Sequence, residues 1–492
     1  MVRASAKLLA ATAAAALLIG CTTVTDMMGS TVTPHSEEAH ALGMPTASPE
    51  SQGFSTAGLD ALTAEFRGLV DQKKLAGVTT LVARHGKVVH MDTYGAANAA
   101  TGEPLKSDSI FRIASMTKPI AGVAMMQLWE QGKWKLSDPV SKFIPEFKGL
   151  KVKGPNGTLV EQNSEMTMAQ LMSHTAGFGV SAVYNGANLS ETNLQGMIDK
   201  LAKLPLETQP GTAWDYGPVV NIQGYVVEKL SGQSLDVYFD EHIFKPLGMV
   251  DTGFWMPPEK SSRVVAIHSY ENGVVKGPAE NRVTTTKPSF LSGSGGLMST
   301  AEDYWRFSQA VRDGGELNGQ RVLQPETVKL MRTNVISPTA KVDLYGPSQD
   351  GIGFGMDFAI VMDPQLAGTP QGKDTFYWGG AFGTWFWIDP TNDLVFVGMI
   401  QNINGSTPTG GTPPLRAISP RATYSHRNPR LIGMAGIILG ACLVMWRTFD
   451  ASVPEWGLWT GLGVIAASWA LFAYVIVARW QWVKQNPYRP PA

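Results

Sequence analysis

At 492 residues the chain exceeds the roughly 100 to 200 of one ordinary domain, which excludes a peptide hormone or small module and points to a large body with attachments. Its 40 Lys and Arg stand against 41 Asp and Glu, so no surplus of positive charge is available to neutralise a phosphate backbone, and nucleic acid is not an expected partner. With 44% hydrophobic residues, 52 Gly and 31 Pro the composition is that of a well-cored, loop-rich globule, and only 2 cysteines exist, Cys21 and Cys442, both in apolar stretches near opposite ends, which excludes a disulfide framework and a Cys-based zinc cluster.

Arg3 and Lys7 precede the uncharged run Leu8 to Ile19, the charged and apolar regions of an export signal. Leu18-Ile19-Gly20-Cys21 closes the run and resembles the bacterial lipobox, which implies lipidation of Cys21 and a mature chain beginning there. Residues 22–50, rich in Thr, Ser, Pro and Ala, read as a flexible tether.

The body is expected over residues 51–422. Val78 to Ala83 and Val88 to Met91 are β-rich runs separated by Arg84-His85-Gly86-Lys87, the pattern of a hairpin. After Ser115 the period changes: Ile120, Val123, Met126 and Trp129 recur at helical spacing as far as Gly132, which predicts a buried helix. Residues from about 116 to 284 offer helical pieces such as Met168 to His174 and Asn221 to Leu230 and few alternating strands. Sheet texture returns at Thr375 to Trp378, Thr384 to Ile388 and Leu394 to Gln401, with Asp389-Pro390-Thr391-Asn392-Asp393 as the turn between the last two. The expectation is an α+β body whose sheet is built from both ends of the chain, with a helical domain inserted between them.

Residues 423–492 read as a membrane hairpin and tail. Leu431 to Trp446 and Trp456 to Ala478 are charge-free and apolar, against the about 20 residues a span requires. Trp446, Trp456, Trp459, Trp480 and Trp482 cluster where interfacial aromatics sit. Two spans keep body and tail on one side, and the export signal puts that side outside the cytoplasm. The positive-inside bias opposes this, because Arg416, Arg421, Arg427 and Arg430 precede the hairpin and Arg479, Lys484 and Arg489 follow it, whereas the connecting loop holds Arg447 alone. Large domains translocate regardless of nearby charge, so the export signal is followed and the protein is placed in a bacterial cell envelope, with membrane lipid as a partner.

No serine stands at the centre of a Gly-x-Ser-x-Gly elbow, the 8 histidines show no metal-binding spacing, and no phosphate loop is present. The chain does contain Ser115-Met116-Thr117-Lys118, its only Ser-x-x-Lys, where sheet texture gives way to the buried helix. Residues three apart share a helix face, so the Lys118 amine can reach the Ser115 hydroxyl, and the helix N-terminus offers NH groups and partial positive charge to an oxyanion. Alone the motif is commonplace, since serine is also a favoured helix cap.

The order of segments resembles the serine β-lactamase and penicillin-recognising family, and within it the class C-like esterase branch known as family VIII carboxylesterases. The matching pieces run from Phe111-Arg112-Ile113-Ala114-Ser115-Met116-Thr117-Lys118 through Leu171-Met172-Ser173-His174-Thr175-Ala176-Gly177, Pro210-Gly211 ahead of Tyr216, Pro246-Leu247-Gly248-Met249 and Gly295-Gly296-Leu297-Met298-Ser299 to Trp378-Gly379-Gly380. The resemblance implies a mainly antiparallel sheet flanked by helices plus an all-helical domain, an acylated Ser115, Lys118 and Tyr216 as the proton-handling pair, and the NH groups of Ser115 and Ala381 as oxyanion donors. It implies no cofactor and no metal. Either Lys118 or Tyr216 could take the serine proton, and His174 is expected to be a satisfied hydrogen-bonding residue at a helix end.

Two departures from the β-lactamase pattern bear on substrate. Pro218 follows Tyr216-Gly217 where an asparagine is usual, and Trp378-Gly379-Gly380 replaces a Lys-Thr-Gly strand. An indole in place of a cation removes a partner for a substrate carboxylate and supplies an apolar wall, while Gly379 and Gly380 let substrate approach the strand backbone. These features favour a carboxylesterase acting on small uncharged acyl esters, with a weak β-lactamase or D-amino-acid peptidase as the alternative and a non-catalytic penicillin-binding-like module as the second.

Overall fold

The structure is a computed structural model that describes residues 32–179, 193–280, 283–343 and 350–403. The export signal, Cys21 and both expected spans, 431–446 and 456–478, lie outside the described residues. Among the described residues no helix is long and apolar enough to cross a membrane.

The central sheet has eight strands: β1 Gly77–Arg84, β2 Lys87–Asn98, β3 Glu103–Pro104, β4 Ile352–Phe354, β5 Ala359–Val361, β6 Phe376–Gly379, β7 Trp385–Asp389 and β8 Leu394–Met399. Their spatial order is β4-β5-β6-β7-β8-β1-β2-β3, and every pairing is antiparallel. The seam between the two ends of the body is the β1–β8 pair, from Thr79 opposite Met399 to Arg84 opposite Leu394. The β1–β2 hairpin turns through His85 and Gly86, with φ of 50° and 71°, as a tight turn with positive φ at both central residues demands.

Strand side chains alternate between faces, and here both faces are covered, so the strands read as continuous apolar runs. Val78 and Val82 of β1, Trp385 and Trp387 of β7 and Phe396 of β8 pack with Leu59, Leu62 and Phe66 of helix α1 (Thr56–Asp71). The intervening residues Leu81, Ala83, Phe386, Ile388, Val395 and Val397 face the larger core, which also holds the all-buried stretch Thr117 to Leu128 of α2 (Thr117–Glu130). Three further helices complete the surroundings of the site: α3 (Met168–Met172), closed by a Thr167–Gln170 capping box; α4 (Val219–Ser231), packed on α2; and α5 (Ala301–Arg312), capped by Thr300 and laid on β8.

Helix α3 stops at Met172, two residues short of the expected end, because Ser173 leaves helical geometry and His174 takes φ 59°. The tether is corrected more substantially. From residue 32 onward the chain is docked on the sheet: Ala39, Met44 and Ala47 are buried, Met91 N–H donates to the His35 carbonyl at 2.7 Å, and Val88 N–H donates to the Pro45 carbonyl at 2.8 Å. Polar composition suggested a linker, but three spaced apolar side chains and the free edge of β2 are enough to hold this segment down.

Phe386 is fully buried between Tyr304 of α5, at a ring distance of 4.9 Å, and Phe358. Phe386→Ala is therefore expected to destabilise the body by about 3–5 kcal/mol in a denaturant titration.

Candidate active site

Ser115 lies in a single 3-10 turn, Ala114–Met116, that leads directly into α2. Ala114 has φ 44°, a left-handed conformation that a residue with a Cβ adopts only when its surroundings enforce it. The enforcement is visible on both sides. Phe111–Arg112 pairs with Met298–Ser299, Ile113 N–H donates to the Leu297 carbonyl at 3.1 Å, and the Gln401 amide bonds both the N–H and the C=O of Arg112. From just ahead of β7, Thr384 Oγ1 donates to the Ile113 carbonyl at 3.2 Å.

Lys118 in the first turn of α2 sends its Nζ to Ser115 Oγ at 3.1 Å and to the Ser294 carbonyl at 2.7 Å. Tyr216, from the loop ahead of α4, brings its hydroxyl to Ser115 Oγ at 2.8 Å, and the Lys118 ammonium position lies 4.6 Å from the Tyr216 ring centre. The three residues expected from the sequence thus converge on one oxygen.

Burial lowers the Lys118 pKa to about 7, opposed by the negative charge of Asp357. Tyr216 moves the other way, to about 12, because loss of hydration outweighs the hydrogen bond with Ser115 and the influence of the Trp378 side chain. Near neutral pH the amine is therefore available as a base and the phenol keeps its proton.

Trp378 on β6 is 4% exposed, and with Trp214, Tyr216 and Phe354 it builds an aromatic wall, its ring 5.7 Å from that of Tyr216. Its buried indole N–H makes no hydrogen bond of good geometry among the described residues. Gly379 ends β6 and Gly380 follows it beside the Ser115 turn, where a Cβ at Gly380 would come within 2.4 Å of the Ile113 carbonyl. The backbone N–H groups of Ser115 and Ala381 donate to no protein acceptor among the described residues, and Ala381 is exposed at the rim. Among the described residues no group of three or more His, Cys, Asp or Glu is placed to hold a metal ion.

His174 departs from its expected role. It follows α3 and is completely buried, but neither ring nitrogen makes a well-formed hydrogen bond; Nε2 stands 3.5 Å from Asp357 Oδ1, and the ring stacks on Tyr216 at 5.3 Å and 10°. Burial, reinforced by Lys118, holds its pKa well below the ordinary histidine value, so the imidazole is neutral. Two further residues were not found from sequence. Asn221 Oδ1 accepts from Ser294 N–H at 2.8 Å and Ser292 Oγ at 3.0 Å, which holds the Ser294 carbonyl on Lys118. Asp357 is the second, and its signal was legible: a lone acid in the apolar, glycine-rich stretch Gly351 to Val361 has no solvent-facing neighbours to explain it.

Residues 62–416 match the family described as Beta-lactamase. The chain belongs to the beta-lactamase family. Similar members include Protein Rv1367c of Mycobacterium tuberculosis, 32% identical over 76% of this chain and all of that one, and Esterase EstB of Burkholderia gladioli, 31% identical over 69% of this chain and 89% of that one. Among solved structures of this fold, EstCE1, described as a hydrolase with promiscuous acyltransferase activity, superposes with a TM-score of 0.64 at 25% identity, covering 75% of this chain and 99% of its own. The beta-lactamase family match spans both the sheet and the helical segment, so Ser115, Lys118, Tyr216 and Trp378 all fall inside it.

A methyl group at Gly380 has no room between Thr384 Oγ1 and the Ile113 carbonyl. Gly380→Ala is expected to push the rim of β6 off the Ser115 turn and slow labelling of Ser115 by a fluorophosphonate about a hundredfold, read by mass spectrometry, with the far-UV spectrum unchanged.

Proposed function

We propose that this protein is a serine hydrolase of the beta-lactamase fold that acts as a carboxylesterase on small, uncharged acyl esters through an acyl-enzyme at Ser115. The observation that carries the reading is the convergence of Lys118 Nζ and Tyr216 OH on Ser115 Oγ at 3.1 and 2.8 Å. A serine hydroxyl becomes a nucleophile only beside a base, and Lys118, with a pKa of about 7, is the better placed of the two at neutral pH.

In this scheme neutral Lys118 takes the Ser115 proton as Oγ attacks the ester carbonyl, and the oxyanion is received by the free N–H groups of Ser115 and Ala381. Collapse expels the alcohol, which receives the Tyr216 proton; the Lys118 ammonium then returns a proton to the phenolate. Water attacks the acyl-enzyme by the same route, releasing the acid and restoring Ser115. Preference for uncharged acyl groups follows from Trp378 and its aromatic neighbours, which offer apolar surface and no cation for a carboxylate. The name of Esterase EstB supports ester chemistry for this chain, and the description of EstCE1 as a hydrolase with promiscuous acyltransferase activity supports acyl transfer. The export signal, Cys21 and the two C-terminal spans support an envelope location with the body outside the cytoplasm, on sequence grounds alone.

Ser115→Ala is expected to lower turnover of a short-chain nitrophenyl ester at least about a thousandfold while the protein stays folded; undiminished turnover, or β-lactam or D-Ala-D-Ala hydrolysis faster than ester hydrolysis, would refute the carboxylesterase assignment. Because the base must be neutral, kcat/KM for that ester should rise with pH through about 7, the pKa of Lys118, in a stopped-flow or steady-state pH series.

A further inference from the structure

The shortest polar contact of Lys118 among the described residues is with a backbone carbonyl, and that carbonyl is held by a side chain the scheme above does not use. Asn221 lies in the first turn of α4, 6% exposed, with its own N–H donating to the Pro218 carbonyl at 2.9 Å. An amide oxygen so enclosed needs donors close by. It has two, both in the loop that precedes Met298–Ser299: Ser292 Oγ at 3.0 Å and Ser294 N–H at 2.8 Å. Ser294 in turn presents its carbonyl to Lys118 Nζ at 2.7 Å, closer than the 3.1 Å from Nζ to Ser115 Oγ. One unbroken series of hydrogen bonds therefore runs from Asn221 through the Ser294 peptide and Lys118 to Ser115.

The loop is fastened so that this carbonyl has one place to point. The Ser292 carbonyl accepts from Gly296 N–H at 2.9 Å and Gly295 N–H at 3.2 Å, which closes a tight turn, and Leu297 N–H donates to Thr117 Oγ1 at the start of α2 at 3.2 Å. Gly293, between the two donors to Asn221, lies flat on α4, where a Cβ would come within 2.7 Å of the Val220 carbonyl. The Ser294 hydroxyl is buried and makes no hydrogen bond among the described residues, so the main chain, gripped by Asn221, sets the direction of the peptide.

Direction matters because of what a neutral amine is. It carries two N–H groups and one lone pair, and only the lone pair can take the serine proton. A terminal amine turns among three staggered settings, so its lone pair is aimed only where its N–H groups have fixed acceptors. The Ser294 carbonyl engages one N–H and leaves the lone pair free to meet Ser115. The same helix start locates the acid, since Tyr216 stands three residues ahead of Val219, the first residue of α4. Tyr216 and the anchor of Lys118 are thus set from one short stretch of backbone. The asparagine usual two residues after this tyrosine is replaced by Pro218, and the amide five residues after it is turned to the loop.

We infer that Asn221 is a positioning residue for the base: by holding the Ser294 carbonyl on Lys118 Nζ it aims the lone pair of the amine at Ser115 and keeps Nζ in register with the Tyr216 hydroxyl. The inference rests on the reading of Ser115 as nucleophile and Lys118 as base.

The test uses the full chain with Asn221→Leu, which keeps the bulk of the side chain and removes its acceptor. The variant is expected to lower kcat for a nitrophenyl ester about thirtyfold with KM little changed, because only the presentation of the base is lost. Asn221→Asp, which keeps an oxygen in the same place, should retain at least about a third of the wild-type kcat. Full kcat in Asn221→Leu, a loss confined to KM, or an equal loss in Asn221→Asp overturns the inference. If Asn221→Leu does not fold, Gly293→Ala lifts the loop off the Val220 carbonyl with Asn221 intact and should lower kcat in the same way; an undiminished kcat there overturns the inference too. Crystal structures of wild type and Asn221→Leu decide the point without turnover: a Ser294 carbonyl that stays at hydrogen-bond distance from Lys118 Nζ in the variant overturns the positioning role. A wild type that neither hydrolyses esters nor takes up a fluorophosphonate refutes the hydrolase reading, while the Ser294–Lys118 distance in the two structures still decides whether Asn221 sets it.

Discussion

Desolvation of one amine organises this site. Lys118 is 3% exposed on a helix whose first three turns are buried, and water is replaced around its Nζ by the Ser294 carbonyl, Ser115 Oγ and the face of the Tyr216 ring. An exposed lysine holds its proton until about pH 10 and has no use as a base at neutrality. Enclosure reverses that, and the same enclosure keeps Tyr216 protonated, so one physical cause assigns opposite duties to two neighbouring groups. Anything that admitted water to α2 would undo both assignments together.

The sheet makes the enclosure possible. Both of its faces are covered, α1 lying on one and α5 with the main core on the other, so the end of β6 that meets the Ser115 turn is backed by packed structure. That turn is clasped from distant parts of the chain, by Gln401 just beyond β8, Thr384 just ahead of β7 and Leu297 in the loop held by Asn221. The left-handed backbone of Ala114 is sustained by these contacts, since nothing in its own chemistry favours that conformation.

Much of this was legible in the sequence, for a definable reason. Local period located β1, β6, β7, β8 and α2 to within a few residues, because burial on both faces of the sheet and around the helix leaves long apolar runs bounded by Gly, Asp and Pro, whereas β2 continues to Asn98, well past the apolar run that ends at Met91. Ser115, Lys118 and Tyr216 were found through motif order, which no periodicity would have supplied for Tyr216, 101 residues from its partner. What escaped were residues whose role depends on contacts remote in sequence. Asn221 reads as an ordinary helix residue until the loop at 292–297 is folded onto it, and His174 was expected to be satisfied because a helix end usually offers partners; here it offers an aromatic ring. The docked segment from residue 32 was misjudged for a related reason, its polar composition masking the few apolar side chains that hold it.

The seam between β1 and β8 has a consequence for how the molecule comes into being. Thr79 meets Met399 across it, so the strand that begins the sheet waits for its neighbour until almost the whole body has left the ribosome. Closing so large a loop is entropically slow, and a nascent chain carrying an unpaired, apolar β1 edge is an invitation to intermolecular pairing. Sheet closure thus comes late in synthesis by the topology itself, and truncation anywhere before residue 399 removes strand partners of β1 and β7, the strands that carry the framework around Ser115.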